Sequence, residues 1–121
     1  MKQQISADRH YAAYLLGNLK DRRGVALLVP LLNDPDVDSN VSWSLGRIGD
    51  RRAIAPLILQ LRLNDPTKRV SAILALEQLK AREALPRLRE LLEDFRTTNL
   101  GEPVTVSETA RRAIAIISSG A

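Results

Sequence analysis

Hydrophobic positions in this chain recur at helical spacing, in paired segments joined by short polar turns. In residues 37–61, Val37, Val41, Trp43, Leu45 and Ile48 form one apolar stripe, and Ile54, Leu57, Ile58 and Leu61 form a second. Each segment reads as an amphipathic helix. Between them, Gly46-Arg47-Ile48-Gly49-Asp50 offers a glycine to end the first helix in the left-handed conformation and an aspartate to cap the next. Pro56 stands near the front of the second helix, where a missing N–H costs least. One hairpin cannot bury both of its stripes, so neighbouring hairpins must cover them.

Those neighbours are present as internal repeats. Leu16-Gly17 precedes Leu45-Gly46 by 29 residues, Asp21-Arg22-Arg23 precedes Asp50-Arg51-Arg52 by the same step, and Val25, Leu28 and Leu32 fall on Ile54, Leu57 and Leu61. Going forward the step is 31, taking Asp34-Pro35 to Asp65-Pro66, Leu45 to Leu76, Ile48 to Leu79, Leu57 to Leu88 and Leu61 to Leu92. Only Pro86 lies one place early. Two-helix units with a period near 30 residues predict an α-solenoid, in which stacked hairpins share one continuous core.

The run LGRIGDRRAIAPLI, preceded by VDSNVSWS and NDP, resembles the short HEAT-like repeats of phycobilin lyases and of many small bacterial scaffold proteins. The resemblance covers three units and part of a fourth. It implies an all-α, right-handed α-solenoid (a HEAT/armadillo-like superhelix) of about three and a half helical hairpins. The expected units are residues 6–33, 34–64 and 65–95 with a half unit at 104–118, all within a single domain over 1–121. The basic residue usual in the first helix is matched by Arg9 and Arg69, whereas unit two carries Asp38 there. Unit three has Glu77, Lys80 and Ala81 in place of the glycines and aspartate, so a differently built turn is expected.

In chain order, the first helix is expected over residues 6–18, capped by Ser6 or Asp8, with Tyr11, Tyr14, Leu15 and Leu19 among its apolar positions. Its outer side should be polar, as the end of a stack requires. The partner helix over 24–32 contains Pro30, which predicts a kink or early stop. Asn33-Asp34-Pro35-Asp36 and Asn64-Asp65-Pro66-Thr67 read as matching turns between units. Residues 95–104 form the one loop longer than a connection requires. The last helix, over 105–118, should lie on unit three through Ala110, Ala113, Ile114 and Ile117. Its missing pair leaves a face, including Ile116, as a route to self-association into a homo-oligomer.

Composition narrows the function. The chain is 45% hydrophobic with 3% aromatic residues, which suits aliphatic helix packing, and with no cysteine it has neither a disulfide frame nor a thiolate metal site. No apolar run approaches the roughly 20 residues of a membrane helix, and MKQQISADRH lacks a signal-peptide core, so no membrane partner and a cytoplasmic location are expected. His10 is the single histidine, no phosphate-cradling loop occurs, and Glu93-Asp94 reads as a solvated pair at a helix end. Catalytic residues, metal ligands and cofactors are therefore all expected to be none.

The net charge is +4. Lys20, Arg22, Arg23, Arg47, Arg51, Arg52, Lys80 and Arg82 all fall at the turns inside hairpins, and stacking would align them as a basic edge opposite Asp34, Asp36, Asp38 and Asp65. Helix-end charge accounts for such an edge structurally; as a site it would draw a protein partner with an acidic surface. The second helices are expected to line the concave side, with Gln60, Arg62, Arg87 and Arg89 where a partner would meet it. The predicted contact residues are thus Arg22, Arg23, Arg47, Arg51, Arg52, Gln60, Arg62, Arg87 and Arg89, on a non-catalytic protein-binding scaffold. Nucleic acid ranks behind, because Tyr14 and Trp43 occupy equivalent packing positions and no base-reading motif occurs. The resemblance to phycobilin lyases implies a third reading, tetrapyrrole handling, although those proteins are usually larger and often work as two subunits.

Overall fold

The computed structural model describes residues 2–33, 40–98 and 103–119, with side chains from residue 11 onward except at 40. Among the described residues seven α-helices follow one another: α1 (Lys2–Leu19), α2 (Gly24–Leu28), α3 (Asn40–Ile48), α4 (Ile54–Gln60), α5 (Pro66–Gln78), α6 (Leu85–Glu90) and α7 (Val106–Ser118). No strand occurs among the described residues, only an isolated antiparallel bridge between Thr97 and Thr105. Helices α1, α3, α5 and α7 pack one on the next, and α2, α4 and α6 lie beside them as a second layer. The chain is an all-α solenoid.

Local chemistry sets the element ends. Asp21 and Asp50 each accept the backbone N–H two residues on at 2.9 Å, Asp65 accepts from Thr67 and Lys68 with Pro66 at the first helical turn, and Thr105 accepts from Glu108 at 3.0 Å. The second helices are tightened by 3-10 turns at Val29–Asn33, Arg51–Ala53, Arg82–Ala84 and Leu91–Glu93. Pro30 sits in the first of these, so the expected early stop is found: without an N–H it cannot continue the α-helical ladder. α1 begins at Lys2 and runs through Ser6 and Asp8, so neither residue caps it. The turn at 34–36, Asp38, and the side chains of Arg9 and His10 lie outside the described residues.

Unit three keeps the backbone of the turn but not its cap: Ala81, in the place of Asp50, has no side chain to accept a backbone N–H. Lys20, Gly49 and Lys80, related by steps of 29 and 31, all take positive φ (51°, 76° and 49°), so the same left-handed helix end recurs whether or not glycine is present. A Cβ at Gly49 would meet nothing within 4 Å. Gly49→Ala is therefore expected to cost about 1 kcal/mol through backbone conformation alone, read as a lower urea midpoint at constant m-value.

Elsewhere small residues serve close approach. An added Cβ at Gly17 would lie 2.9 Å from Ser44 Cα, and at Gly46 it would lie 3.1 Å from Ala75 Cα, so α1–α3 and α3–α5 meet nearly backbone to backbone. The Ser44 hydroxyl donates to the Ala13 carbonyl across the first junction. Leu28, Leu45, Leu57, Leu61, Ile73, Leu76, Leu88 and Ile117 fill one continuous core running along the stack.

Candidate functional site

Stacking in register brings repeat-equivalent side chains into rows. Tyr14 on α1 and Trp43 on α3 lie in one row with ring centroids 5.7 Å apart and planes 8° apart. Arg47, one turn beyond Trp43, places its guanidinium carbon 5.0 Å from the indole centroid. The row continues to Leu74 on α5, which is exposed, as is Tyr14. Beyond Leu74, an open groove of about 320 Å³ is lined by Val70, Leu74, Val104, Glu108, Thr109 and Arg112. Arg112 Nε stands 3.4 Å from Glu77 Oε1, a loose ion pair. The result is an apolar ridge with cations held beside it.

Arg47 is the notable cation here. It has no carboxylate partner among the described residues, and its buried Nε makes no hydrogen bond. The cation–π contact holds the guanidinium over the indole while leaving it without a carboxylate among the described residues, an arrangement suited to an incoming carboxylate.

The remaining predicted contact residues divide sharply. Arg23 is spent on Asp21, which its Nη2 meets at 2.7 Å. Arg52 repeats that pairing with Asp50 at 2.7 Å and also donates to the Arg22 carbonyl at 3.3 Å, tying turn to turn. Arg51 donates to Glu83 of the next unit at 3.0 Å. The hydrogen bonds from Arg23 and Arg52 hold the carboxyls of Asp21 and Asp50 down at about 2. Arg87 turns to Glu90 and to the Leu61 carbonyl. Arg22, Arg62 and Arg89 are exposed and have no carboxylate partner among the described residues.

Gln60 is not where a partner could meet it. It is 6% exposed, and its amide donates to the Asn33 side chain at 3.4 Å, because its position on α4 faces the preceding unit rather than solvent.

One cluster runs against the sequence reading. Asp94, read as solvated, has a side chain only 9% exposed and lies between two arginines. Arg69 Nη1 reaches it at 2.8 Å while Arg69 Nε donates to the Leu63 carbonyl; Arg96 meets both carboxylate oxygens at 2.9 Å and donates to Asn64 at 2.8 Å. Arg96 above all, and then Arg69, holds the Asp94 carboxyl well below the usual carboxylate range, against the opposing effect of burial. The cluster clamps the turn before α5 to the segment that leads into α7. The available signal was Arg69, the basic residue of the repeat pattern, which needed a carboxylate from the following turn.

Among the described residues no group of three or more His, Cys, Asp or Glu is placed to hold a metal ion, and no helix is long and apolar enough to cross a membrane.

Comparison with known proteins follows the same lines as the geometry. The family model for HEAT repeats matches residues 5–62, and that for the PBS lyase HEAT-like repeat matches residues 68–94. Phycocyanobilin lyase subunit alpha from Synechococcus elongatus is 37% identical over 99 residues, covering 73% of this chain and 36% of that protein. The protein of the same name from a Picosynechococcus species is 37% identical over 95 residues (69% and 35%), and the bilin biosynthesis protein PecE of Mastigocladus laminosus is 34% identical over 87 residues (69% and 32%). The chain thus spans about a third of the length of the curated relatives it matches. The solved complex of CpcE and CpcF of phycocyanin lyase from a Nostoc species contains a chain that superposes with a TM-score of 0.77 at 29% identity, over 92% of this chain and 48% of that one.

Proposed function

We propose that this chain, which belongs to the HEAT-repeat proteins, is a non-catalytic docking module that binds an acidic protein partner across the ridge of Tyr14, Trp43, Arg47 and Leu74. The observation that carries this reading is the stack of exposed Tyr14 on half-buried Trp43, with Arg47 over the indole and without a carboxylate partner among the described residues. Large aromatics and arginine dominate binding energy where interfaces have been dissected, the aromatics because they bury much area with few rotatable bonds and arginine because its planar fork meets a carboxylate with two hydrogen bonds. The solved relative, one member of a two-protein complex, supports a protein as the partner. Arg22, Arg62 and Arg89 would add steering charge, screened by salt. Arg23, Arg51 and Arg52 are less suitable, since their charge is used within the stack.

The test is affinity capture from the native host, comparing wild type with Arg47→Glu and Trp43→Ala. One polypeptide retained in stoichiometric amount, released by salt and weakened at least tenfold by Arg47→Glu is expected; a variant of unchanged thermal stability that binds equally well would remove the ridge from consideration.

A second reading, bilin handling, is favoured by the phycocyanobilin lyase names of the relatives. Under it, adding phycocyanobilin to the purified chain would change the pigment's visible absorption at stoichiometric ratio, and an unaltered spectrum would count against it.

A further inference from the structure

The exposed sides of α1, α3, α5 and α7 carry two parallel rows of side chains. A step of 34 residues carries α5 onto α7: Ala72, Ile73, Ala75 and Leu76 fall on Val106, Ser107, Thr109 and Ala110, all buried, while Leu74 and Gln78 fall on Glu108 and Arg112, all exposed. With the steps of 29 and 31, one row therefore reads Tyr14, Trp43, Leu74, Glu108. The other, one turn further along each helix, reads Asn18, Arg47, Gln78, Arg112.

Every side chain of the second row is a hydrogen-bond donor, and two of them are cations. Arg47 has no carboxylate partner among the described residues, and Arg112 has the loose contact with Glu77, whose buried Oε1 makes no hydrogen bond. Arg112 is 68% exposed, so that contact holds it weakly. The two arginines stand on helices two places apart in the stack, which at about 8–10 Å between packed axes separates them by about 16–20 Å. One carboxylate cannot meet both. An extended polypeptide rises about 3.3 Å per residue with alternate side chains on one face, so residues about six apart span about 20 Å and point the same way. Gln78 stands exposed between the cations, where its amide suits a backbone with unpaired N–H and C=O groups, which an extended segment offers and a helix does not. Beside this line, the groove at Val70, Leu74 and Val104 has room for an apolar side chain, and Glu108 on its rim turns away a further acid.

We propose that an extended segment of the partner crosses α3, α5 and α7 on this surface, with carboxylates about six residues apart at Arg47 and Arg112 and an apolar residue between them in the groove beside Leu74. This rests on the docking reading given above and adds the chemistry and spacing of what docks. Its second cation, Arg112, is no part of that reading.

The probe is a series of labelled peptides of alanine and serine carrying one leucine and two glutamates, the glutamates set from about two to about nine residues apart, titrated against the whole chain by fluorescence anisotropy at about 0.15 M salt. Binding is expected to be tightest near a spacing of about six and at least about fivefold weaker at about three and about nine. Arg47→Ala and Arg112→Ala should each weaken the best peptide about tenfold, as loss of a charge-assisted hydrogen bond implies, with thermal unfolding unchanged. Glu77→Gln keeps the side chain's shape and releases Arg112, so it should tighten binding about threefold. Attraction to positive charge alone would show no preferred spacing, and that result, or no binding at any spacing, overturns the proposal. An Arg112→Ala variant that binds like wild type also overturns it, leaving Arg47 as an isolated contact. A single-stranded oligonucleotide that binds more tightly than the best peptide at the same salt would assign the row to nucleic acid instead. Capture of an acidic protein through Trp43 and Arg47 can succeed while the peptide series fails, and the series can succeed where nothing is captured, so the two readings fall separately.

Discussion

Leu45→Ala is expected to lower the unfolding free energy by about 3–4 kcal/mol, and Leu19→Ala by less than about 0.5 kcal/mol, although both are leucines on the apolar stripes of first helices. Leu45 is completely buried in α3, whose backbone is held close to α1 at Gly17 and to α5 at Gly46. With both sides fixed by near backbone contact, α3 has little room to settle into the space a deleted isobutyl group leaves. The cost should therefore lie toward the upper part of the usual range. Against a typical total of about 5–15 kcal/mol this is a large share, and it corresponds to a fall in Tm of roughly 12–16 °C. Leu19 loses only solvent-facing surface. Urea unfolding with an unchanged m-value is the measurement, and equal effects at the two positions would mean that Leu19 is packed in solution as Leu45 is.

Removal of the Asp94 carboxylate should be nearly as severe. In Asp94→Ala, Arg69 keeps its bond to the Leu63 carbonyl but loses its only ionic partner among the described residues, with its side chain 13% exposed, and the expected loss is about 3 kcal/mol at neutral pH, since one member of a largely buried pair is left unpaired. The acid dependence follows from the direction of the shift. The Asp94 carboxyl is held below its unfolded value of 3.8, so its stabilising contribution is complete above that value and is withdrawn as the pH falls below it. Asp21 and Asp50, held at about 2, behave in the same sense. The gap between wild type and Asp94→Ala should accordingly be widest above pH 4 and narrow progressively below it. A constant gap from pH 7 down to pH 2 would show that the carboxylate's charge is not what holds the turn.

The two predictions also mark how far the sequence could be read. Leucine spacing, the Asp50 cap and the steps of 29 and 31 were enough to place hairpins, turns and register, because these depend on residues near in sequence or on the bare fact of repetition. The turn of unit three does lack the aspartate cap, as Ala81 implied, yet its backbone is the same, since Lys20 and Lys80 adopt the left-handed conformation of Gly49 when the helices on either side require it. The arginines expected at the hairpin turns could be named from the sequence, but how their charge is engaged was not legible. Whether Arg51 is free or bonded to Glu83 depends on how closely two successive turns are brought together.

The local pattern of this chain, then, determined its helices, its repeating hairpins and the order in which they stack, since apolar periodicity and capping act within a few residues. Tertiary structure alone decided which of two similar leucines is core and which is surface, that Gln60 faces inward, that Asp94 sits between Arg69 and Arg96, and that Tyr14, Trp43 and Arg47 form one stack. The Asp94–Arg69, Gln60–Asn33 and Tyr14–Trp43 contacts join residues 25, 27 and 29 apart in sequence, with Arg96 and Arg47 added from two and four residues away, and exposure and charge at a repeat position are properties of the junction it meets, not of the residue itself.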